Sequence, residues 1–125
     1  MSQALLIDGR EISASKRQVL KQQVARITEV YKFAPSLHVI LVGDNPASQI
    51  YVRNKQFACR EVGIRSQVHH LPFNSDQETV RSLIAVLNND NTVHGILLQL
   101  PLPPSLDKHI LLNEISPGKD VDGLH

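Results

Sequence analysis

A lysine among apolar neighbours is the first place in this chain where chemistry could occur. It is Lys55, in the stretch SQIYVRNKQFACR from Ser48 to Arg60. On a helix turning about 100° per residue, with Ile50 at zero, Lys55 falls at about 140°, between Val62 at about 120° and Cys59 at about 180°. Arg53, Gln56 and Arg60 gather between about 240° and 300°, the arc expected to face water. Tyr51 lies one turn earlier, at i−4, about 5–6 Å away between Cβ atoms. Two readings stay open at this level. Lys55 sits at the edge of the buried arc and extends its ammonium to water along an aliphatic stem, or its head lies in a cleft. In a cleft, desolvation favours the neutral amine and suits it to general acid/base or Schiff-base chemistry.

Other reactive types are distributed in a way that bears on this choice. Gln99 closes the apolar run VHGILLQL, and a buried amide there must find hydrogen-bond partners. Open α/β sheets bind ligands at the carboxyl ends of their strands. The ends of HVILV and VHGILLQL are such places, and the segment bearing Tyr51 and Lys55 departs from the first. Lys55 is nine residues past Pro46, about 13 Å along a helix axis, so a cleft must run along the helix. There Gln99 can orient the lysine; the alternative is a strand-end amide bonded to loop backbone. Asp120 and Asp122 occupy a polar turn after Pro117, where aspartates commonly bond their own backbone. His69 and His70 stand beside a strand end with no third ligand at a useful spacing, so a metal site is not expected and hydrogen-bonded or solvated histidines are. Cys59 reads as a small apolar packer, with a lysine near enough to raise its reactivity.

The elements that must position these groups alternate between strand and helix. Ala4 to Ile7 is a short apolar run, and Glu11 to Tyr31 carries a helical stripe of Val19, Leu20, Val24, Ile27 and Val30. His38 to Val42 (HVILV) is a strand covered on both faces. Asn45 and Pro46 open a helix that runs to Val62 and stops at Gly63. Ile64 to Leu71 has strand character, and Ser75-Asp-Gln-Glu78 is a capping-box pattern opening a helix with Val80, Leu83, Ile84 and Leu87. That helix ends in Asn88-Asn89-Asp90-Asn91. Val93 to Leu100 reads as a central parallel strand stopped by Pro101-Leu102-Pro103-Pro104, and a helix from Leu106 to Ile115 precedes the turn at Ser116 to Gly123. The pattern predicts βαβ units and an α/β fold: a three-layer αβα domain with a mainly parallel sheet.

Composition narrows the function classes. At 125 residues, 42% hydrophobic and 20% charged, the chain predicts one compact domain. Thirteen Lys plus Arg against twelve Asp plus Glu leave a formal charge of +1 without a basic run, which argues against nucleic acid and anionic membrane as partners. One cysteine forbids an internal disulfide and fits a reducing, cytoplasmic location. The start MSQALLIDGRE has neither a charged n-region nor a long apolar run, and no stretch approaches about 20 apolar residues, so neither secretion by a signal peptide nor a membrane span is expected. No GxGxxG or GxxxxGK[ST] occurs either, so no dinucleotide or phosphate cradle is recognisable. Tyr51-x-x-x-Lys55 matches the short-chain dehydrogenase pair only superficially, because no Gly-rich turn precedes it.

Three ordered motifs carry a family resemblance. VGDNPASQIYVRNKQFACREVGI (Val42 to Ile64), HGILLQLPLP (His94 to Pro103) and KDVDG (Lys119 to Gly123), with the opening LLIDGREI, resemble the signatures of the bifunctional methylenetetrahydrofolate dehydrogenase/cyclohydrolase family over essentially the whole chain. The resemblance implies an amino-terminal folate-binding catalytic domain spanning residues 1–125, with the family's NADP-binding Rossmann domain absent. It implies that Lys55 is the catalytic lysine, that Tyr51 stacks on the folate rings and that Gln99 supports and tunes the lysine. Asp122 would hydrogen-bond the pterin amino edge, Ser48 would be an accessory polar contact near the reacting carbon, and Leu100 would join the substrate-binding set.

The implied reactions are oxidation of 5,10-methylenetetrahydrofolate by hydride transfer to NADP, then hydrolysis of 5,10-methenyltetrahydrofolate to 10-formyltetrahydrofolate. A desolvated amine can accept a proton from water adding to a cationic amidinium carbon, whereas a permanent ammonium would repel that substrate. The implied partner is a small-molecule folate, and the implied full-length assembly a homodimer. The chain departs from the family in ending at His125, two residues after KDVDG, where the family continues and later returns a carboxy-terminal helix. Exposed apolar surface, weak folate binding and no dehydrogenase activity by the chain alone are therefore expected. The readings from other classes are a non-catalytic folate-binding or interaction module, inactive without the cofactor domain, and a Schiff-base lysine enzyme.

Overall fold

The structure, a computed structural model, describes residues 14–121. The apolar run at 4–7, the start of the first helix and Asp122 lie outside the described residues. Helix α1 is Ala14–Tyr31, strand β1 Ser36–Val42, α2 Pro46–Val62, β2 Arg65–Leu71, α3 Gln77–Asn88, β3 Gly95–Leu98 and α4 Lys108–Glu114, followed by a 3-10 turn at Pro117–Lys119. The strands are parallel in the order β2-β1-β3, so β1 is central. None of the described helices is long and apolar enough to cross a membrane.

Alternate residues of β1 enter two separate cores, because successive side chains of a strand point to opposite faces. Leu37, Val39 and Leu41, with Leu97 of β3, pack against Leu20 and Val24 of α1 and Val52, Cys59 and Val62 of α2. Ile40 and Val42, with Ile96 and Leu98, pack against Val80, Ile84 and Leu87 of α3 and Leu111 and Leu112 of α4. Each fully buried aliphatic side chain contributes about 1.5–3 kcal/mol. The result is the expected three-layer α/β domain with a parallel sheet.

Local signals explain most boundaries. Asn45 caps α2 by accepting a bond from the Ser48 amide at 3.0 Å. At the other end Gly63 adopts φ 88°, and the amides of Gly63 and Ile64 reach back to Arg60 O and Cys59 O, closing the helix with a left-handed residue. The start of α3 differs from the capping-box expectation by one residue. Ser75 Oγ donates to Pro72 O at 2.7 Å, and Asp76 instead accepts from the Thr79 amide at 2.8 Å. The stripe on α1 is also narrower than expected, with Leu20 and Val24 buried but Val19 and Val30 more than half exposed. Those two lie about 80–100° around the helix from the Leu20 line, beyond the strip that meets the sheet. Strand β3 is shorter than the 93–100 run, ending before Gln99.

The last two sequence motifs meet in space. Asp120 makes a parallel bridge with Ile96, and Val121 is buried in the α1/α2 core. Lys119 Nζ donates to Leu87 O, Asn88 O and Asp90 O at 2.8–2.9 Å, supplying the cation and the donors that the end of a helix lacks. Gly95 is required where these parts cross, since a Cβ there would stand 2.6 Å from Val121 Cγ1 and 3.1 Å from Leu37 Cδ1.

Gly95→Ala should destabilise the fold by about 1–3 kcal/mol through overpacking, read as a lowered midpoint in urea unfolding. Cys59 is fully buried, and burial pushes its thiol from 9.0 up to about 11. The folded chain thus keeps a proton that the unfolded chain releases, so the thiol's contribution is full below about pH 9 and is lost progressively as pH rises through about 11. Urea titrations should show roughly 2 kcal/mol lost over that window, and thiol reagents at pH 8 should label Cys59 only in the unfolded chain.

Candidate active site

The carboxyl ends of β1 and β3 lie side by side, and α2 departs from the first of them. After Val42 the chain turns at Gly43, whose φ is 91°, and the Gly43 carbonyl is bonded by His70 Nε2 at 2.7 Å. Asn45 then starts α2, which carries Ser48, Tyr51 and Lys55 along the strand ends.

The structure joins four of the expected residues, Lys55, Gln99, Leu100 and Ser48, in one hydrogen-bond network. Lys55 Nζ donates to Gln99 Oε1 at 3.1 Å, across 44 residues of sequence. Gln99 Nε2 donates to Leu100 O at 2.9 Å. The hydroxyl of Ser48, fully buried, donates to the same Leu100 carbonyl at 3.4 Å. The backbone amide of Gln99 bonds Ile40 O at 3.0 Å, which fixes the residue to the central strand. Gln99 therefore does both things considered for it, bonding loop backbone with its nitrogen and the lysine with its oxygen. The chemistry dictates that orientation. Flipping the amide would set its NH2 against a lysine donor and its oxygen against a carbonyl oxygen. Among the described residues no buried side-chain nitrogen or oxygen is left without a partner.

Lys55 is half-buried, in the middle of the buried arc of α2 formed by Ser48, Val52, Cys59 and Val62. Its head is held inside the molecule by Gln99 rather than extended solely into water, which favours the cleft reading. Tyr51 is 47% exposed and flanks the lysine on the open side, with Ile50 and Phe57 also exposed on α2. An aromatic face left open next to a bound amine can receive a flat ring by stacking.

Other expected residues separate. Asp122 lies outside the described residues, and Asp120 bridges β3 through its backbone. His69 and His70, adjacent in sequence, point to opposite faces of β2. His70 meets Gly43 O and, at 3.5 Å, Asp44, whereas His69 meets His38. Cys59 is a core packer whose thiol stays protonated at neutral pH. Sequence reading missed Phe73, which with Gly43, Leu102 and Pro103 lines a hollow of about 400 Å³ beside the same strand ends. Its only signal was an aromatic in a polar loop, LPFNS.

Comparison with known proteins identifies the family of the fold. Residues 7–122 match the family described as tetrahydrofolate dehydrogenase/cyclohydrolase, catalytic domain. The bifunctional protein FolD of Halalkalibacterium halodurans is 48% identical over 122 residues, which is 98% of this chain and 43% of that protein. FolD of Legionella pneumophila (strain Corby) is 50% identical over 122 residues, with the same coverage of 98% and 43%. Among solved structures, the bifunctional FolD methylenetetrahydrofolate dehydrogenase/cyclohydrolase of Campylobacter jejuni superposes with a TM-score of 0.87 at 47% identity, over 95% of this chain and 42% of that one. The Trypanosoma brucei dehydrogenase-cyclohydrolase, solved with NADP cofactor and inhibitor, gives 0.83 at 37% identity, over 90% and 38%. The chain thus spans less than half the length of these relatives, and it belongs to the tetrahydrofolate dehydrogenase/cyclohydrolase family.

Proposed function

We propose that this chain, residues 1–125, is the single folate-binding catalytic domain of a cytoplasmic enzyme that oxidises 5,10-methylenetetrahydrofolate with NADP and hydrolyses 5,10-methenyltetrahydrofolate to 10-formyltetrahydrofolate, working at full length as a homodimer. The observation that carries the reading is the 3.1 Å bond from Lys55 Nζ to Gln99 Oε1, made where parallel α/β sheets bind ligands. When unprotonated, the Lys55 amine has two hydrogens and one lone pair. Donating a hydrogen to Gln99 fixes its rotation and leaves the lone pair for a water molecule. As that water adds to the amidinium carbon of the methenyl substrate, Lys55 accepts its proton.

The remaining residues bind and position. Tyr51 supports the ring system by stacking. Asp122 reads the donor edge of the pterin, and the half-buried Leu100 contributes an apolar contact. Ser48 acts through Leu100 O, keeping the carbonyl in place that orients Gln99. NADP supplies the hydride acceptor for the oxidation when bound. This chain contains no Gly-rich strand-to-helix turn to cradle its phosphates, so its residues do not fit that cofactor.

Hydrolysis of 5,10-methenyltetrahydrofolate, followed by loss of its absorbance, tests the proposal with the chain alone and with a separately produced cofactor domain of a relative. The mixture should be active. Lys55→Ala should lower its rate by about 10²-fold or more while folate still binds, whereas Asp122→Ala should mainly weaken folate binding. Undiminished hydrolysis by Lys55→Ala would overturn the assignment.

A further inference from the structure

Helix α2 delivers the lysine, so whatever fixes the start of that helix also fixes the amine. Strand β1 hands over to α2 at Gly43, which is buried and held at φ 91°. Glycine turns freely about its backbone, so Gly43 by itself leaves the direction of α2 unset. Three contacts from the end of β2 and the loop after it set that direction. The Gly43 amide donates to Leu71 O at 2.9 Å. The ring of Phe73 lies over the Gly43 α-carbon, near enough that a Cβ there would stand 3.3 Å from Phe73 Cδ1. His70 Nε2 donates to Gly43 O at 2.7 Å, with the Asp44 carboxylate 3.5 Å from the same nitrogen.

The bond from His70 stands where the sheet ladder gives out. Strand β2 stops at Leu71, ahead of Pro72, and the chain then turns, with the Ser75 amide bonded to Pro72 O at 3.0 Å. A side chain thus supplies the donor that a buried carbonyl requires. Because that carbonyl only accepts, His70 must carry a proton on Nε2. From Gly43 to the lysine each step is tied down. Asn45 accepts from the Ser48 amide at 3.0 Å, Ser48 Oγ reaches Leu100 O at 3.4 Å, and Lys55 Nζ reaches Gln99 Oε1 at 3.1 Å. Lys55 is nine residues past Pro46, about 13 Å along the axis, so a tilt of about 2° at the start of α2 moves it by about 0.5 Å. That is about the tolerance of a catalytic group. Tyr51, nearer the pivot, moves about half as far.

We propose that His70 is a positioning residue for Lys55. By donating to Gly43 O it fixes the direction in which α2 leaves the sheet, and with it the place of the amine against Gln99. It acts through the backbone at the far end of the helix, and its side chain meets neither Lys55 nor Gln99. Without this donor the Gly43 carbonyl turns toward water, the glycine permits the turn, and α2 pivots. The consequence for catalysis rests on the folate reading of Lys55, whereas the consequence for the position of the amine does not.

Two variants separate the donor from the bulk of the ring: His70→Phe keeps a ring without the donor, and His70→Gln keeps a donor of similar reach. In the mixture with a relative's cofactor domain, His70→Phe should lower kcat for 5,10-methenyltetrahydrofolate hydrolysis about tenfold while KM stays within about threefold. His70→Gln should restore most of the loss. In the chain alone, acetylation by acetic anhydride, followed at each lysine by mass spectrometry, should be about threefold or more faster at Lys55 in His70→Phe than in the other two chains. Lys119, held by three carbonyls at the end of α3, should label equally in all three, which shows the fold intact. Ring ¹⁵N NMR of the unaltered chain at pH 8 should place the His70 proton on Nε2, and a proton on Nδ1 would overturn the proposal whether or not a variant folds. Equal Lys55 labelling in all three chains, or a kcat unmoved by His70→Phe, would overturn it as well. An unaltered mixture that fails to hydrolyse the substrate would count against the folate reading alone, and the labelling and the tautomer then decide the role of His70.

Discussion

Val39 and Ile40 are neighbours that point to opposite faces of the sheet, and both are fully excluded from water. That double burial is the constraint on which the architecture rests. A strand with no wet face must have helices on both sides, and parallel neighbours can be reached only through crossover helices. Helix α2 is one of those crossovers. Its start is therefore fixed at the carboxyl end of β1, beside the end of β3, and Lys55 is brought to Gln99 by connectivity that the core demands.

The sheet has two chemically distinct ends. At the carboxyl end the polar groups are few and mutually satisfied, and they stand beside the exposed ring of Tyr51. At the amino end the polar groups are many and open to solvent, and the histidine pair spans two strands. The first arrangement holds one amine in one orientation. The second sets two imidazoles head to head across the strands.

Much of this was legible because the relevant signals are local. The apolar run HVILV, Asn45-Pro46 and Gly63 each encode a strand or a helix end through nearest neighbours, and the structure bears them out. The arc of α2 carrying Lys55 was readable from helical period, and Gln99 from its oddity in an apolar strand. What escaped were features set by distance in sequence. The separation of His69 from His70 depends on strand pleating, and the meeting of His69 with His38 depends on register across 31 residues. The cap at Asp76 rather than Ser75 was decided by the competing bond from Ser75 to Pro72 O. Val19 and Val30 looked like core because the stripe's width depends on what α1 packs against.

Gln99 has one further consequence. Its amide is asymmetric, with a donor turned to Leu100 O and an acceptor turned to Lys55. A glutamate would fill the same outline, but as a carboxylate it has two acceptors. It would press oxygen against the Leu100 carbonyl and set a full negative charge beside the amine. The position thus discriminates by polarity along a single bond, not by size. The first residue past the strand works as a compass needle, with its direction set by the backbone on one side and read by the lysine on the other.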